Sequence, residues 1–280
     1  MAEPGLRAFV CGQPIAHSRS PMIHRHWLSQ YAIDGSYDPI EVAPADFSGF
    51  VSSLAENGLA GGNVTIPNKE AAFAAVDRRD GEAGAVGAVN TLWFDKGRLV
   101  GGNTDALGFA ANLDAFAPQW RDRGRALIVG AGGASRAVVH AILQAGFDRI
   151  DIVNRTAARG QDLADRFGRK VVAHGLDQLS TLTPTAGLVV NTTSLGMDGG
   201  DSAPLEVDRL PDDSVVTDIV YVPLVTPLLA AAAGRGLATV DGLGMLLHQA
   251  APGFARWFGV TPQVTEELRN LVIADLERHR

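Results

Sequence analysis

The sequence predicts a two-domain α/β protein, and three observations carry that expectation. The chain has 280 residues, close to the size at which a single hydrophobic core stops growing and chains divide. Short apolar runs alternate with stretches of helical period along nearly all of it, the pattern of βαβ units around a parallel sheet. One apolar run opens directly into a glycine-rich turn and a helical stretch, Gly130-Ala131-Gly132-Gly133-Ala134-Ser135.

The elements follow in order. Residues 8–11, 37–42 and 59–64 read as strands, with helices over 21–31 and 46–56 between them. Residues 89–94 and 98–101 flank Asp95-Lys96-Gly97 and read as a hairpin with a glycine-containing turn. A second α/β series begins at Arg125, with strands at 126–129, 149–153, 187–190 and 215–220 and helices at 135–145 and 156–167. Two helices, 243–257 and 264–278, close the chain and can return to the first domain. No Pro/Gly/Ser-rich linker, internal repeat or low-complexity segment separates the halves.

Composition narrows the function. Hydrophobic residues make up 46% and charged residues 20%, ordinary for a globular protein. The formal net charge of −7 argues against broad nucleic-acid binding, so an anionic ligand needs a few locally placed cations. The single cysteine, Cys11, excludes an internal disulfide framework and a cysteine-rich metal site, and no metal is expected. A free thiol suits a reducing compartment. Residues 1–10 lack the basic start and apolar run of a signal peptide. The longest uncharged apolar stretch lies between Asp218 and Arg235, contains Pro223 and Pro227, and is too short to span a bilayer. The expectation is a cytoplasmic protein without a membrane partner.

The glycine turn is the first chemical signal. Its spacing, G-x-G-x-x-S, follows a strand and opens a helix. Such glycines allow a tight turn and let backbone amides approach a pyrophosphate at the positive end of the helix dipole. The next strand ends in Asn154-Arg155-Thr156, with Arg159 one helical turn on. An NAD site usually carries a carboxylate there, bonded to the ribose 2′-hydroxyl. Two guanidiniums suit a 2′-phosphate instead, and hence NADP; the other reading is two solvated charges at a helix start. Asn191-Thr192-Thr193-Ser194 ends a further predicted strand, where it can line the cofactor site or simply form a side-chain-capped turn.

Four polar clusters stand out before residue 106: His17-Ser18-Arg19-Ser20-Pro21, Asn63-Val64-Thr65-Ile66-Pro67-Asn68-Lys69, Val89-Asn90-Thr91 and Gly102-Asn103-Thr104-Asp105. Ser18 and Ser20 beside a helix begun by Pro21 suit a carboxylate ligand, or one serine caps the helix. Hydride transfer between an alcohol and a ketone needs a proton donor and acceptor at the carbinol oxygen. A lysine such as Lys69 can serve, positioned by a carboxylate such as Asp105, and the two would titrate as a unit. A structural salt bridge is the other reading. Tyr221 and Gln249 can hydrogen-bond a polyol or belong to the core boundary.

These four clusters, with Gly12-Gln13-Pro14-Ile15-Ala16, Gly87-Ala88, the glycine turn, Asn154-Arg155-Thr156 and Asp241-Gly242-Leu243-Gly244-Met245, stand in an order that resembles the shikimate dehydrogenase family. The resemblance implies a substrate domain over 1–105, completed by C-terminal helices 243–280 packing back on it, and a Rossmann-type NADP-binding domain over 106–242. It implies reversible NADPH-linked reduction of 3-dehydroshikimate to shikimate, in chorismate and aromatic amino-acid biosynthesis. By motif position it makes Lys69 and Asp105 the catalytic pair. It gives the substrate carboxylate to Ser18 and Ser20 with Tyr221 close by, and ring hydroxyls to Thr65, Asn90, Asp105 and Gln249. It gives the cofactor to Gly130, Ala131, Gly132, Gly133, Ala134, Ser135, Asn154, Arg155, Thr156, Arg159, Thr192 and Gly242. The partners expected are a small-molecule substrate and NADP, without nucleic acid, on a monomer or homodimer. Three departures leave room for a relative that also accepts quinate: Gly61-Gly62, Gly84-Ala85-Val86, and an apolar segment after Tyr221. A non-catalytic NADP-binding regulator is the alternative of another class. A folate-type dehydrogenase leaves Ser18, Ser20 and Asn90 without a role.

Overall fold

The computed structural model describes residues 5–197 and 200–278; the first four residues of the N-terminal stretch read above lie outside them. The described chain divides into two units, one of residues up to Thr104 with Leu247–Arg278, the other of Asp105–Leu246.

In the first unit the strands are β1 (Leu6–Gly12), β2 (Gly35–Glu41), β3 (Leu59–Val64), β4 (Arg78–Arg79), β5 (Thr91–Asp95) and β6 (Arg98–Gly102). The helices among them are α1 (Ser20–Gln30), α2 (Phe47–Ser52), α3 (Lys69–Ala75) and α4 (Gly81–Val86). The sheet runs in the order β2-β1-β3-β5-β6-β4. β1 is parallel to β2 and β3, as the helical spacers predict. β5 and β6 form the expected antiparallel hairpin, turned by Lys96 (φ 52°) and Gly97 (φ 76°), two left-handed residues whose twist matches paired strands. The helix expected over 46–56 stops at Ser52. The Ser52 hydroxyl donates to the Ser48 carbonyl and that of Ser53 to the Phe50 carbonyl, satisfying the last turn locally instead of extending it.

The second unit carries α5 (Asp105–Phe116), β7 (Arg125–Val129), α6 (Gly133–Gln144), β8 (Arg149–Val153), α7 (Ala157–Phe167), β9 (Val171–His174), α8 (Leu179–Leu182), β10 (Leu188–Asn191), β11 (Val215–Asp218), α9 (Pro227–Gly234) and β12 (Ala238–Val240). Its sheet is parallel throughout, in the order β12-β11-β10-β7-β8-β9. The central strands are largely apolar, the pattern of a parallel sheet covered on both faces. The strand order reverses between β7 and β10, and ligands of such sheets lie beyond the carboxyl ends of the strands at that point.

Two final helices, α10 (Leu243–Phe258) and α11 (Glu266–Arg278), complete the first unit from Leu247 onward. Trp257 of α10 donates its indole N–H to the Leu92 carbonyl at 2.8 Å. It lies against Gly61, whose φ of +144° excludes other residues and where a Cβ would strike both the Leu92 carbonyl and the indole. The glycine pair noted as a departure is thus the seat of this tryptophan. Trp257 and Phe254 surround His24 together with Trp27 and Tyr37. The His24 ring stacks 3.9 Å from Tyr37, and its complete burial holds its pKa down at about 3. Arg19 pairs with Asp275 of α11 at 2.6 Å, and Trp27 donates to the Gln263 carbonyl.

Candidate active site

In the second unit the glycine turn, the ends of β8 and β10 and the loop before α8 enclose a cavity of about 450 Å³. Gly130 leaves β7 at φ +110°, and a Cβ there would meet the Thr192 hydroxyl oxygen at 2.7 Å. Both reasons demand glycine, and they bring the turn against the exit of β10. At Gly132 and Gly133 an added Cβ meets nothing within 4 Å, so the protein's own packing does not require their bareness. That open space lies at the start of α6, whose first-turn N–H groups need an acceptor.

Ser135 faces inward. It is fully buried, accepts from the Gly132 N–H at 2.9 Å and donates toward the Gly130 carbonyl at 3.1 Å. Its oxygen lies 2.7 Å from that of Thr192. Gly130, Ala131, Gly132, Asn154, Arg155, Thr156, Arg159 and Thr192 line the cavity, while Gly133, Ala134, Ser135 and Gly242 do not. Gly242 is packed against the Ile219 and Val220 carbonyls. Leu176, Leu195 and Pro204 also line the wall; single apolar residues in loops give no sequence signal of that role.

The wall contains no carboxylate. Arg155 and Arg159 are exposed, and among the described residues neither forms an ion pair. Two guanidiniums beside an open glycine cradle fit an anionic dinucleotide with a second phosphate at its ribose end.

The far wall rests on a buried carboxylate. The Asn191 oxygen accepts from the Thr193 N–H and hydroxyl, a side-chain-capped turn, and Thr192, Thr193 and Ser194 line the cavity. The Asn191 amide donates to Asp218 at 2.9 Å. Asp218 also accepts from the Val220 N–H and the Thr226 hydroxyl. Burial raises its pKa against these three donors. The loop it organises carries Tyr221, which is half-buried.

In the first unit, backbone bonds gather three of the polar clusters. The Val64 N–H donates to the Asn90 carbonyl at 2.8 Å, the Asn90 N–H to the Gly102 carbonyl at 3.0 Å, and the Val89 N–H to the Lys69 carbonyl at 3.0 Å. The Lys69 carbonyl, at the first residue of α3, is therefore bonded to the residue that precedes Asn90. The Asn90 amide reaches Gln249 of α10 at 3.1 Å and the Thr104 hydroxyl at 3.0 Å, and Thr104 is followed by Asp105, a buried residue. Thr65 is half-buried at the end of β3, with its N–H bonded to the Cys11 carbonyl.

Ser20 starts α1 and its N–H donates to the Ser18 hydroxyl at 3.3 Å. The helix N-cap is Arg19, without a side-chain cap, so one serine touches the first turn and neither acts as the N-cap residue. The sequence named Asn63, Thr91 and Thr104 only as members of motifs; the structure buries Asn63 and Thr91 and bonds all three to one another or to Asn90.

The chain matches three family models: Shikimate dehydrogenase substrate binding domain over residues 10–92, Shikimate / quinate 5-dehydrogenase over 116–198, and Shikimate 5'-dehydrogenase C-terminal domain over 242–269. It is 62% identical over 276 residues to a shikimate dehydrogenase (NADP(+)) of Mesorhizobium japonicum, covering 99% of each chain. Among solved structures it is similar to shikimate 5-dehydrogenase of Thermus thermophilus in complex with NADP(H) and shikimate, with a TM-score of 0.86, 35% identity, and 97% and 99% of the two chains covered. It is also similar to quinate dehydrogenase of Corynebacterium glutamicum in complex with NAD, with a TM-score of 0.89, 30% identity, and 96% and 99% covered.

Proposed function

The chain belongs to the shikimate dehydrogenase family, and from that premise we propose that it reduces 3-dehydroshikimate to shikimate, reversibly, with NADPH. The step belongs to chorismate and aromatic amino-acid biosynthesis, carried out in the cytoplasm by a monomer or homodimer. The observation that carries the reading is the convergence on Asn90, where backbone and side-chain bonds bring the 63–69, 89–91 and 102–104 segments and Gln249 into one polar surface.

Asn90, Gln249 and Thr65 would bind ring hydroxyls, with Asp105. Ser18 and Ser20 would hold the ring carboxylate with the first amides of α1, an 11-residue helix, whose positive end favours an anion. Tyr221 is assigned to the substrate with them. In the second unit, the glycine turn at Ala131 and the start of α6 would hold the pyrophosphate, and Arg155, Thr156 and Arg159 the 2′-phosphate. Bound NADPH supplies the hydride. Lys69 would give a proton to the carbonyl oxygen as the carbinol forms, and take it back in reverse. Asp105 would orient the ammonium and bond the neighbouring hydroxyl.

The test is the growth of the reduced-nicotinamide absorbance with NADP and shikimate, run beside quinate and beside NAD. Turnover with shikimate and NADP is expected to exceed the other combinations. A second reading, a quinate/shikimate enzyme, is favoured by the likeness to a quinate dehydrogenase, and faster oxidation of quinate would establish it. Tight NADP binding without turnover of either acid would instead mark a regulator.

A further inference from the structure

Behind the residues that would touch substrate runs a line of buried polar groups whose hydrogen-bond directions are forced from both ends. We propose that Thr91 is a positioning residue which locks the amide of Asn90, and through it that of Gln249, so that Gln249 meets a ring hydroxyl as a donor. The inference deepens the reading above and rests on it.

Asn63, Asn90 and Thr91 are 5%, 2% and 1% exposed. The Asn63 amide nitrogen lies 3.1 Å from the Asn90 main-chain carbonyl, which can only accept. Asn63 therefore turns its NH2 that way and its oxygen toward Tyr37, whose hydroxyl donates at 2.6 Å. The same NH2 donates to the Thr91 hydroxyl oxygen at 3.2 Å. Thr91 has one hydrogen to give, and it goes to the Asn90 side-chain oxygen at 2.8 Å.

From the other end the Thr104 main-chain N–H, which can only donate, points at that same oxygen at 3.0 Å. Two donors thus hold the Asn90 carbonyl group in place, and its NH2 faces the Gln249 side-chain oxygen. Gln249 takes the Asn90 hydrogen at its oxygen and so turns its NH2 away from Asn90, where it can donate. Reversing the buried Asn90 amide or the half-buried Gln249 amide that faces it would set donor against donor or acceptor against acceptor, leaving groups unpaired.

The consequence is a polarity for the substrate. The ring oxygen that meets Gln249 accepts, and its own hydrogen must go to a different acceptor. Sequence patterns give the positions of such amides but not their direction.

The experiment compares Thr91→Val, which keeps the shape and removes the hydroxyl, with Thr91→Ser, which keeps the hydroxyl. Each is assayed with shikimate and with analogues that each lack one non-reacting ring hydroxyl, alongside the KM for NADP and the thermal midpoint. Thr91→Val is expected to lose about tenfold or more in kcat/KM for shikimate, with an unchanged KM for NADP. The loss should vanish with the one analogue that lacks the hydroxyl facing Gln249, and Thr91→Ser should be near native. Equal losses on shikimate and every analogue, or native efficiency in Thr91→Val, would overturn the proposal.

Gln249→Ala separates it from its parent reading. Native turnover there removes Gln249 from the site, whereas impaired Gln249→Ala beside native Thr91→Val removes only the positioning role. Should Thr91→Val not fold, Gln249→Glu replaces the outward donor by an acceptor while keeping an oxygen for Asn90. It is expected to turn over shikimate more slowly than Gln249→Ala, and equal or faster turnover contradicts the polarity.

Discussion

The two units hold the groups of their candidate sites in opposite ways. In the first, the polar groups around Asn90 are neutral, buried or half-buried, and bound to one another, which limits their freedom to adapt. In the second, the cavity wall presents bare glycines and two exposed guanidiniums with no facing carboxylate. On the reading proposed, the first arrangement would discriminate by hydrogen-bond direction, where one misplaced donor is costly. The second would discriminate by charge, which tolerates small shifts because electrostatic attraction falls off gradually.

That contrast sets the expected order of effects. Lys69→Ala should be the most severe, lowering kcat by about 100-fold or more in the steady-state assay. A near-native kcat would remove the first unit's claim to the chemistry. Arg155→Ala should weaken NADP by roughly tenfold or more and NAD far less, since only NADP carries the 2′-phosphate. Binding titrations with both cofactors measure it, and equal losses would break the charge reading of the second unit.

Gly130→Ala places a side chain at φ +110° against Thr192, a strain of about 1–3 kcal/mol. It should lower the thermal midpoint by on the order of 5 °C and weaken both cofactors alike, in contrast to Arg155→Ala. An unchanged midpoint would mean that the turn adapts.

The mildest effect at neutral pH concerns His24. Its folded pKa of about 3 lies below the ordinary 6.5, so the unfolded chain binds the extra proton first. Stability is complete above about pH 6.5 and falls by up to about 1.4 kcal/mol per unit as pH drops toward 3. Urea unfolding at stepped pH values should show this slope, and His24→Phe, which keeps a ring in the aromatic cluster, should flatten it. The same slope in both proteins would assign it to other groups.

Much of this was legible in the sequence where a physical demand fell on residue type. The long apolar strands, the hairpin with Lys96-Gly97 and the Gly130 turn each impose such a demand. β9 and β12 were not read: four and three residues long, they occupy the two edges of their sheet, where half-exposed positions break the apolar run. At the site, motif order singled out Asn90, Gln249 and the arginines. It did not single out Asp218, a lone carboxylate in an apolar strand that ties the loop of Tyr221 to Asn191. It also gave no hint that Ser135 turns inward, because a serine at a helix start reads the same whether it faces a phosphate or its own loop. Partners brought together by tertiary contact leave no local signature.

The most direct test of the account is to titrate shikimate into the Lys69→Ala protein saturated with NADP. A dissociation constant close to the native one beside the lost turnover is the predicted result, because the hydroxyl and carboxylate contacts are assigned to other side chains and Lys69 is assigned the proton. Loss of shikimate binding in that variant, or binding with undiminished turnover, would contradict it.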